Sequence, residues 1–161
     1  MKITATRLKE LVSYNAETGE FTWASKPNRR IKIGSIAGSF HRGYKRIHLD
    51  GIDQQAHRMA WLYTHGSHPT GHIDHINGNR SDNRLINLRD VTPQENMQNM
   101  RCASKVSTTG VLGVRKGRGG TWRSEIKVDN KQKYLGEFKT IEAAYEAYVK
   151  AKRIYHKGCT I

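Results

Sequence analysis

Between His72 and Val91 the chain has to reverse direction within a few residues. His72 to Ile76 alternates like a short strand, Asn77-Gly78-Asn79-Arg80-Ser81-Asp82-Asn83 is built of turn formers, and Leu85 to Val91 reads as the returning strand. Thr92-Pro93-Gln94-Glu95 then opens a helix, with threonine at the cap, proline at the first helical position and glutamate three residues past the cap, a capping box. This order of strand, long turn, strand and helix gathers two strand ends and a first helical turn around one point. Asp74, His75, Asn87 and Asn96 are expected there. A carboxylate, an imidazole and carboxamide groups are parts with which to hold one divalent cation and activate one water.

Charge narrows the class of partner. The 161 residues carry 28 Lys and Arg against 14 Asp and Glu, a formal charge of +14, which favours a polyanion, nucleic acid ahead of membrane. The excess is uneven: 11 cationic against 5 anionic residues in 1–70, 5 against 4 in 71–105, and 12 against 5 in 106–161. Basic flanks around a nearly neutral middle suit phosphate-gripping arms beside a site that brings its own metal. Cys102 and Cys159 are far apart and outside any Cys-x-x-Cys pair, so no zinc ribbon or disulfide framework is expected, and a reducing, cytoplasmic setting is the simpler reading. His65, His68 and His72 straddle a proline-containing loop with no Cys or fourth His to complete a tetrahedral set, and no structural zinc is expected. No apolar run approaches 18 residues and no charged-then-apolar leader is visible, so neither a membrane span nor a secretory signal is expected.

Elsewhere the pattern predicts a short helix capped by Thr6 with Leu8, Leu11 and Val12 at helical spacing, a turn over Asn15 to Gly19, and a strand from Glu20 to Ala24. Gly43 to Leu49 alternates and ends in the hairpin signal Asp50-Gly51, and a helix follows from about Gln55 to His65 with Met59, Leu62 and Tyr63 near one stripe. His57 is expected to pack or hydrogen-bond within that helix. After a small, polar and basic linker come three strands, Gly113 to Lys116, Thr121 to Val128 and Gln132 to Phe138, and a helix from Ile141 to His156 with a small-residue face of Ala143, Ala144, Ala147 and Ala151.

Ile73-Asp74-His75-Ile76-Asn77-Gly78-Asn79, with Asp82-Asn83-Arg84, Asn87-Leu88-Arg89 and Asn96, closely resembles the HNH nucleases, particularly the homing-endonuclease-like proteins of bacteriophages. The resemblance implies a ββα-metal (His-Me finger) site in which His75 is the general base, Asn87 orients its imidazole, and Asp74 with Asn96 holds one divalent metal, Mg²⁺ or alternatively Mn²⁺. The residues agree with those roles. A neutral imidazole with a pKa near 6.5 accepts a proton near neutral pH once its other nitrogen is held, and hard oxygens suit magnesium. Arg80 and Arg84 are candidate contacts to the scissile strand.

A second resemblance covers about 110–157. Leu112-Gly113-Val114-Arg115, Trp122-Arg123-Ser124-Glu125-Ile126, Tyr134-Leu135-Gly136-Glu137-Phe138 and Ala143-Ala144-Tyr145-Glu146-Ala147-Tyr148 look like an AP2 DNA-binding domain. It implies a sheet that meets the major groove, with Arg115, Lys116, Trp122, Arg123 and Lys127 as candidate DNA contacts; Arg118 on the glycine loop is a candidate phosphate contact. Strand alternation adds that Trp122, Ser124 and Ile126 cannot share a face with Arg123, Glu125 and Lys127.

The fold expected is α+β: an N-terminal α+β portion (1–70), the ββα-metal motif (71–100), a linker (101–109) and an AP2-like three-stranded sheet plus helix (110–161). The expected function is a metal-dependent endonuclease that nicks double-stranded DNA as a monomer, without an obligatory protein partner, in the cytoplasm of a host cell if phage-encoded. A non-catalytic DNA-binding regulator that keeps the HNH segment as scaffold is the alternative, and an RNA-binding protein a third reading.

Overall fold

The structure is a computed structural model and describes residues 2–161; Met1, where the predicted N-terminal portion begins, lies outside the described residues. The fold is mixed α+β and divides into two compact units, Met1–Thr92 and Pro93–Ile161.

The first unit opens with α1 (Ala5–Leu11), capped by Thr4, whose Oγ1 accepts from Arg7 N–H. The cap is therefore Thr4 and not Thr6. Val12 leaves the helix and begins β1 (Val12–Asn15), which pairs antiparallel with β2 (Glu20–Trp23). A β-branched residue is at ease in that change of conformation. Asn15 Oδ1 then accepts from Glu17 N–H and Thr18 N–H, closing the turn between the strands.

β3 (Ser39–His41), β4 (Tyr44–Leu49) and β5 (Ile52–Gln55) form one antiparallel sheet in that order. Asp50 and Gly51, both at positive φ, make the tight β4–β5 turn. The hairpin signal at Asp50-Gly51 implies the return strand β5, whereas β3 escaped the sequence reading because all of it is exposed and shows no apolar alternation. α2 (Ala56–His65) follows β5 directly and ends at Gly66. β6 (His72–His75) pairs with β7 (Leu88–Val91), His75 opposite Leu88 and Asp74 opposite Arg89. The returning strand is shorter than expected, since Leu85–Asn87 forms a 3₁₀ turn closed by Asn87 N–H to Arg84 O. Asp90 secures the entry to β6 by accepting from Thr70 N–H, Thr70 Oγ1 and Gly71 N–H.

One hydrophobic cluster serves this unit, from Leu8, Leu11 and Val12 through Phe21 and Ile47 to Met59, Leu62, Ile73 and Leu88. Burying a side chain such as Phe21 contributes about 1.5–3 kcal/mol. The Tyr14 ring packs 4.7 Å from Phe21 and 5.8 Å from Tyr63 of α2, which aims its hydroxyl at the loop between β6 and β7. Tyr14 Oη donates to Asn83 O at 2.8 Å, and Leu85 N–H donates to Ala16 O. Gly19 makes this approach possible: it sits at φ +73°, and a Cβ there would lie 2.5 Å from both Arg84 N and Asn83 C.

The second unit begins with α3 (Pro93–Gln98) and continues, after residues 99–113 without helix or strand, into β8 (Val114–Lys116), β9 (Trp122–Val128) and β10 (Lys131–Phe138). They form an antiparallel sheet with β9 in the centre. α4 (Ile141–Tyr155), capped by Thr140, covers one face through Ile126, Tyr148 and Ala151. Gly113 allows close packing, because a Cβ would stand 1.9 Å from the Tyr148 ring. The end of the chain is stitched to α3 and its exit: Gly158 N–H donates to Gln98 Oε1, Arg101 Nη2 to Thr160 O, and the buried Lys152 to Met100 O. No helix among the described residues is long and apolar enough to cross a membrane.

Gly19→Ala combines left-handed strain with a backbone collision and is expected to lower unfolding stability by about 3 kcal/mol. Urea denaturation checks this, and a loss below 1 kcal/mol would show that the hairpin yields to the added methyl.

Candidate active site

His75 ends β6, so its side chain meets whatever the following loop brings back. The loop brings back Asn83. His75 is 5 % and Asn83 1 % exposed, and His75 Nε2 lies 3.1 Å from Asn83 Oδ1. Asn83 Nδ2 donates to Ser81 O, which turns Oδ1 toward the ring. The amide oxygen can only accept, so Nε2 carries the proton and Nδ1 carries the lone pair of the neutral imidazole. Burial pushes the His75 pKa down; the hydrogen bond to Asn83 and the nearby Asp74 oppose that shift without cancelling it.

Asn87, expected on the imidazole, is spent inside the loop. Its Oδ1 accepts from Asn77 N–H at 2.9 Å and its Nδ2 donates to Asp82 O at 2.8 Å. Asn83 takes the position on the ring. Within a run of turn formers an asparagine is what any turn would use, so composition offered no means of singling Asn83 out. Its near-complete burial does.

The loop is rigid on its outer side as well. Asp82 receives Arg84 Nε at 2.7 Å and Nη2 at 2.6 Å, together with Asn77 Nδ2, and these bonds, Arg84 first, hold its carboxyl down at about 2. The guanidinium of Arg84 is thus a loop brace, whereas that of Arg80 lies over the Tyr44 ring, 5.0 Å from its centroid. Burial of Tyr14, above all, pushes its phenol up to about 12, so its hydroxyl stays protonated and keeps donating to Asn83 O.

Asp74, 7 % exposed, stands beside His75 on β6, and its Oδ2 receives both Nε (2.9 Å) and Nη2 (2.8 Å) of Arg89 from the paired position on β7. Arg89 was not singled out in the sequence; it sets the carboxylate's orientation. A hard carboxylate oxygen is the donor that Mg²⁺ or Mn²⁺ prefers, and a site with few protein ligands leaves positions for waters and phosphate oxygens. Among the described residues no group of three or more His, Cys, Asp or Glu is placed to hold a metal ion. Asn96 lies on α3 in the second unit and is half-buried.

Behind His75 stands His57, the second residue of α2. Its ring is 5.1 Å from that of His75, edge to face, and burial, above all, takes its pKa down to about 3. His65 stacks on Trp61, and His68 Nε2 meets Ile3 O.

In the second unit the open sheet face carries Arg115, Arg123, Glu125 and Tyr134, neighbours in the β8–β9–β10 register. Glu125, 7 % exposed, receives Arg115 Nη2 at 3.2 Å, Arg123 Nε at 2.5 Å and Gln132 Nε2 at 3.1 Å. Arg123 also lies over the Tyr134 ring at 4.9 Å. Lys127 shares this face by alternation and is exposed. Lys116 is exposed beside Arg115, and Arg118 projects from the β8–β9 turn. By alternation Trp122 falls in the row of Ser124 and Ile126 and not in that of Arg123, Glu125 and Lys127, and it is half-buried.

Comparison with known proteins now meets this geometry. Residues 54–98 match the HNH endonuclease family. That span runs from the end of β5 through α3 and includes every residue of the β6–β7 loop. Protein 3.8 of Escherichia phage T7 is 36% identical over 78 residues, 47% of this chain and 64% of that protein. The chain thus spans less than two thirds of the curated relative it matches. No solved structure matches the chain. The family match points to a nuclease or DNA-binding role, and the relative is a phage protein.

The His57 environment has a thermodynamic signature. The folded chain keeps His57 neutral down to about pH 3, while the unfolded chain protonates it near pH 6.5. Between these values the unfolded state binds one more proton, so stability falls as pH drops, by about 1.4 kcal/mol per unit. His57→Phe removes this contribution: its unfolding free energy, measured in urea from pH 7 to 4, is expected to fall less steeply than the wild type's. Parallel curves would contradict a neutral buried His57.

Proposed function

We propose that the chain is a metal-dependent DNA endonuclease of the HNH type that nicks duplex DNA. The observation that carries this reading is the buried, neutral His75, with Nε2 committed to Asn83, beside the buried carboxylate of Asp74 in a segment that matches the family. In this reading His75 Nδ1 takes a proton from water and the water oxygen attacks phosphorus. The P–O3′ bond breaks, and the departing 3′ oxygen takes a proton from solvent, leaving 5′-phosphate and 3′-hydroxyl ends. Asn83 fixes the ring, and Asn87 keeps the loop in the shape that presents Asn83.

Asp74 and Asn96 are the proposed ligands of a single Mg²⁺, with Mn²⁺ as a substitute. A cation bound there supplies Lewis-acid stabilisation of the charge that develops on phosphate and on the leaving oxygen. The donors agree with a hard divalent ion. Arg80 is the proposed contact to the scissile strand; Arg84, tied to Asp82, reaches a phosphate only by sharing its guanidinium.

The second unit is proposed to bind DNA through an AP2-like sheet, with Arg115, Arg123 and Lys127 on its face and Lys116 and Arg118 at its edge and turn. Glu125 pairs with two of these arginines, whose side chains keep 68% and 47% of their surface open toward a phosphate or base edge. Trp122 is left out of the contact set because alternation puts it on the opposite face from Arg123 and Lys127. The division into parts at 70, 100 and 109, action as a monomer, a homing role and a place in the host cytoplasm belong to the same proposal.

Incubation of supercoiled plasmid with Mg²⁺ tests it. Wild type is expected to produce nicked circles, and His75→Ala and Asp74→Ala to lose at least about 100-fold in rate, His75→Ala with DNA binding retained. A wild type that binds duplex DNA and leaves it closed with both Mg²⁺ and Mn²⁺ would favour the non-catalytic regulator, and preference for structured RNA at fixed salt would favour the RNA reading.

A further inference from the structure

His57 takes no part in the chemistry proposed above, yet it is 5 % exposed and its Nδ1 finds no hydrogen-bond partner among the described residues. Burying an unsatisfied imidazole nitrogen costs about 1–3 kcal/mol, and an apolar side chain of similar size would avoid that cost. The residue therefore needs an account beyond filling the core.

Its neighbours supply one. The rings of His57 and His75 meet edge to face at 5.1 Å with an interplanar angle of 75°. Tyr44, from the start of β4, is tilted against both, 5.5 Å from His57 and 6.4 Å from His75, and Arg80 lies over its ring. His75 is thus held from two directions. Asn83 fixes one nitrogen, but a single hydrogen bond leaves the imidazole free to rock about it, and the flat ring of His57 limits that motion. α2 gives this wall a rigid mount, because Ala56, Met59, Ala60 and Leu62 anchor the helix in the core around it. Arg58, next in sequence, donates to Gly71 O and so ties α2 to the residue that leads into β6.

We infer that His57 is a positioning residue for His75, the aromatic wall that holds the base's imidazole in the orientation set by Asn83. Aromatic contact is what the role demands, and the role includes remaining uncharged: a second cation 5.1 Å from His75 would oppose the imidazolium that forms when the base takes its proton. The low pKa of His57 agrees with this. The inference rests on the nuclease reading for its catalytic consequence, but the ring orientation it describes can be read without catalysis.

The test uses the full chain labelled with ¹⁵N in its histidine rings. Long-range ¹H–¹⁵N spectra of the wild type are expected to show His75 as a single Nε2–H tautomer. His57→Phe keeps that signature, and His57→Ala gives mixed tautomers. Plasmid nicking with Mg²⁺ is expected to lose about 100-fold in kcat in His57→Ala with KM for DNA little changed, and to be largely retained in His57→Phe. If His57→Ala does not fold, His57→Leu, which keeps volume without a flat ring, is read in the same way. An unchanged His75 tautomer and kcat in the Ala or Leu variant would overturn the inference, as would equal losses in Phe and Ala that merely follow their thermal midpoints. A wild type that never nicks DNA but shows the expected spectra would sink the nuclease reading and leave the positioning role standing.

Discussion

The hydrogen bond between His75 Nε2 and Asn83 Oδ1 joins the end of β6 to the far side of a loop that has little apolar content of its own, and the first unit can be understood as the means of holding its two partners. Loop backbone cannot position a side chain to a fraction of an ångström unless it is tied from several sides. Tyr14 ties Asn83 O, Ala16 ties Leu85, and Asn87 crosses the loop from Asn77 to Asp82. Each tie leads to the core: Tyr14 is set by Phe21 and Tyr63, and Leu88, next to Asn87, belongs to the same cluster as Leu62 and Ile73. Hydrophobic burial thereby becomes precision at a polar site.

Buried polar groups are costly unless paired, and the molecule repeats one solution in both units. Asp74 sits under Arg89 across a strand pair, and Glu125 sits under Arg115 and Arg123 across another. In each case a carboxylate of low exposure is satisfied by guanidinium groups from neighbouring strands. The consequences differ with exposure. Arg89 is largely covered and orients Asp74, whereas Arg115 and Arg123 keep much of their surface open, so Glu125 organises cations that still face outward.

Much of this was legible in the sequence where the physics is local. The reversal over Asn77 to Asn83, the tight turn at Asp50-Gly51 and the helix after Gln55 each depend on a few adjacent residues, and each is present. What needed long-range contact was not legible. Val12 carries the spacing of a last helical turn but pairs with Trp23, the fully exposed β3 exists because β4 lies beside it, and Leu85 to Asn87 forms a turn in which Asn87 Oδ1 accepts from Asn77 N–H across the loop. The same holds at the site. Asp74 and His75 stand side by side and buried on β6, as type and adjacency lead one to expect of candidates, but the choice between Asn83 and Asn87 as partner of the imidazole depends on how the loop curls, and Tyr14, Gly19, His57 and Arg89 act through contacts that no spacing rule encodes.

The central claim is that Asn83 holds the imidazole of His75 for proton transfer. Single-turnover nicking of supercoiled plasmid by Asn83→Ala, with Mg²⁺ and DNA saturating, measures it most directly. A loss of about 100-fold in rate is expected, with DNA affinity retained. A rate equal to that of the wild type would contradict the account.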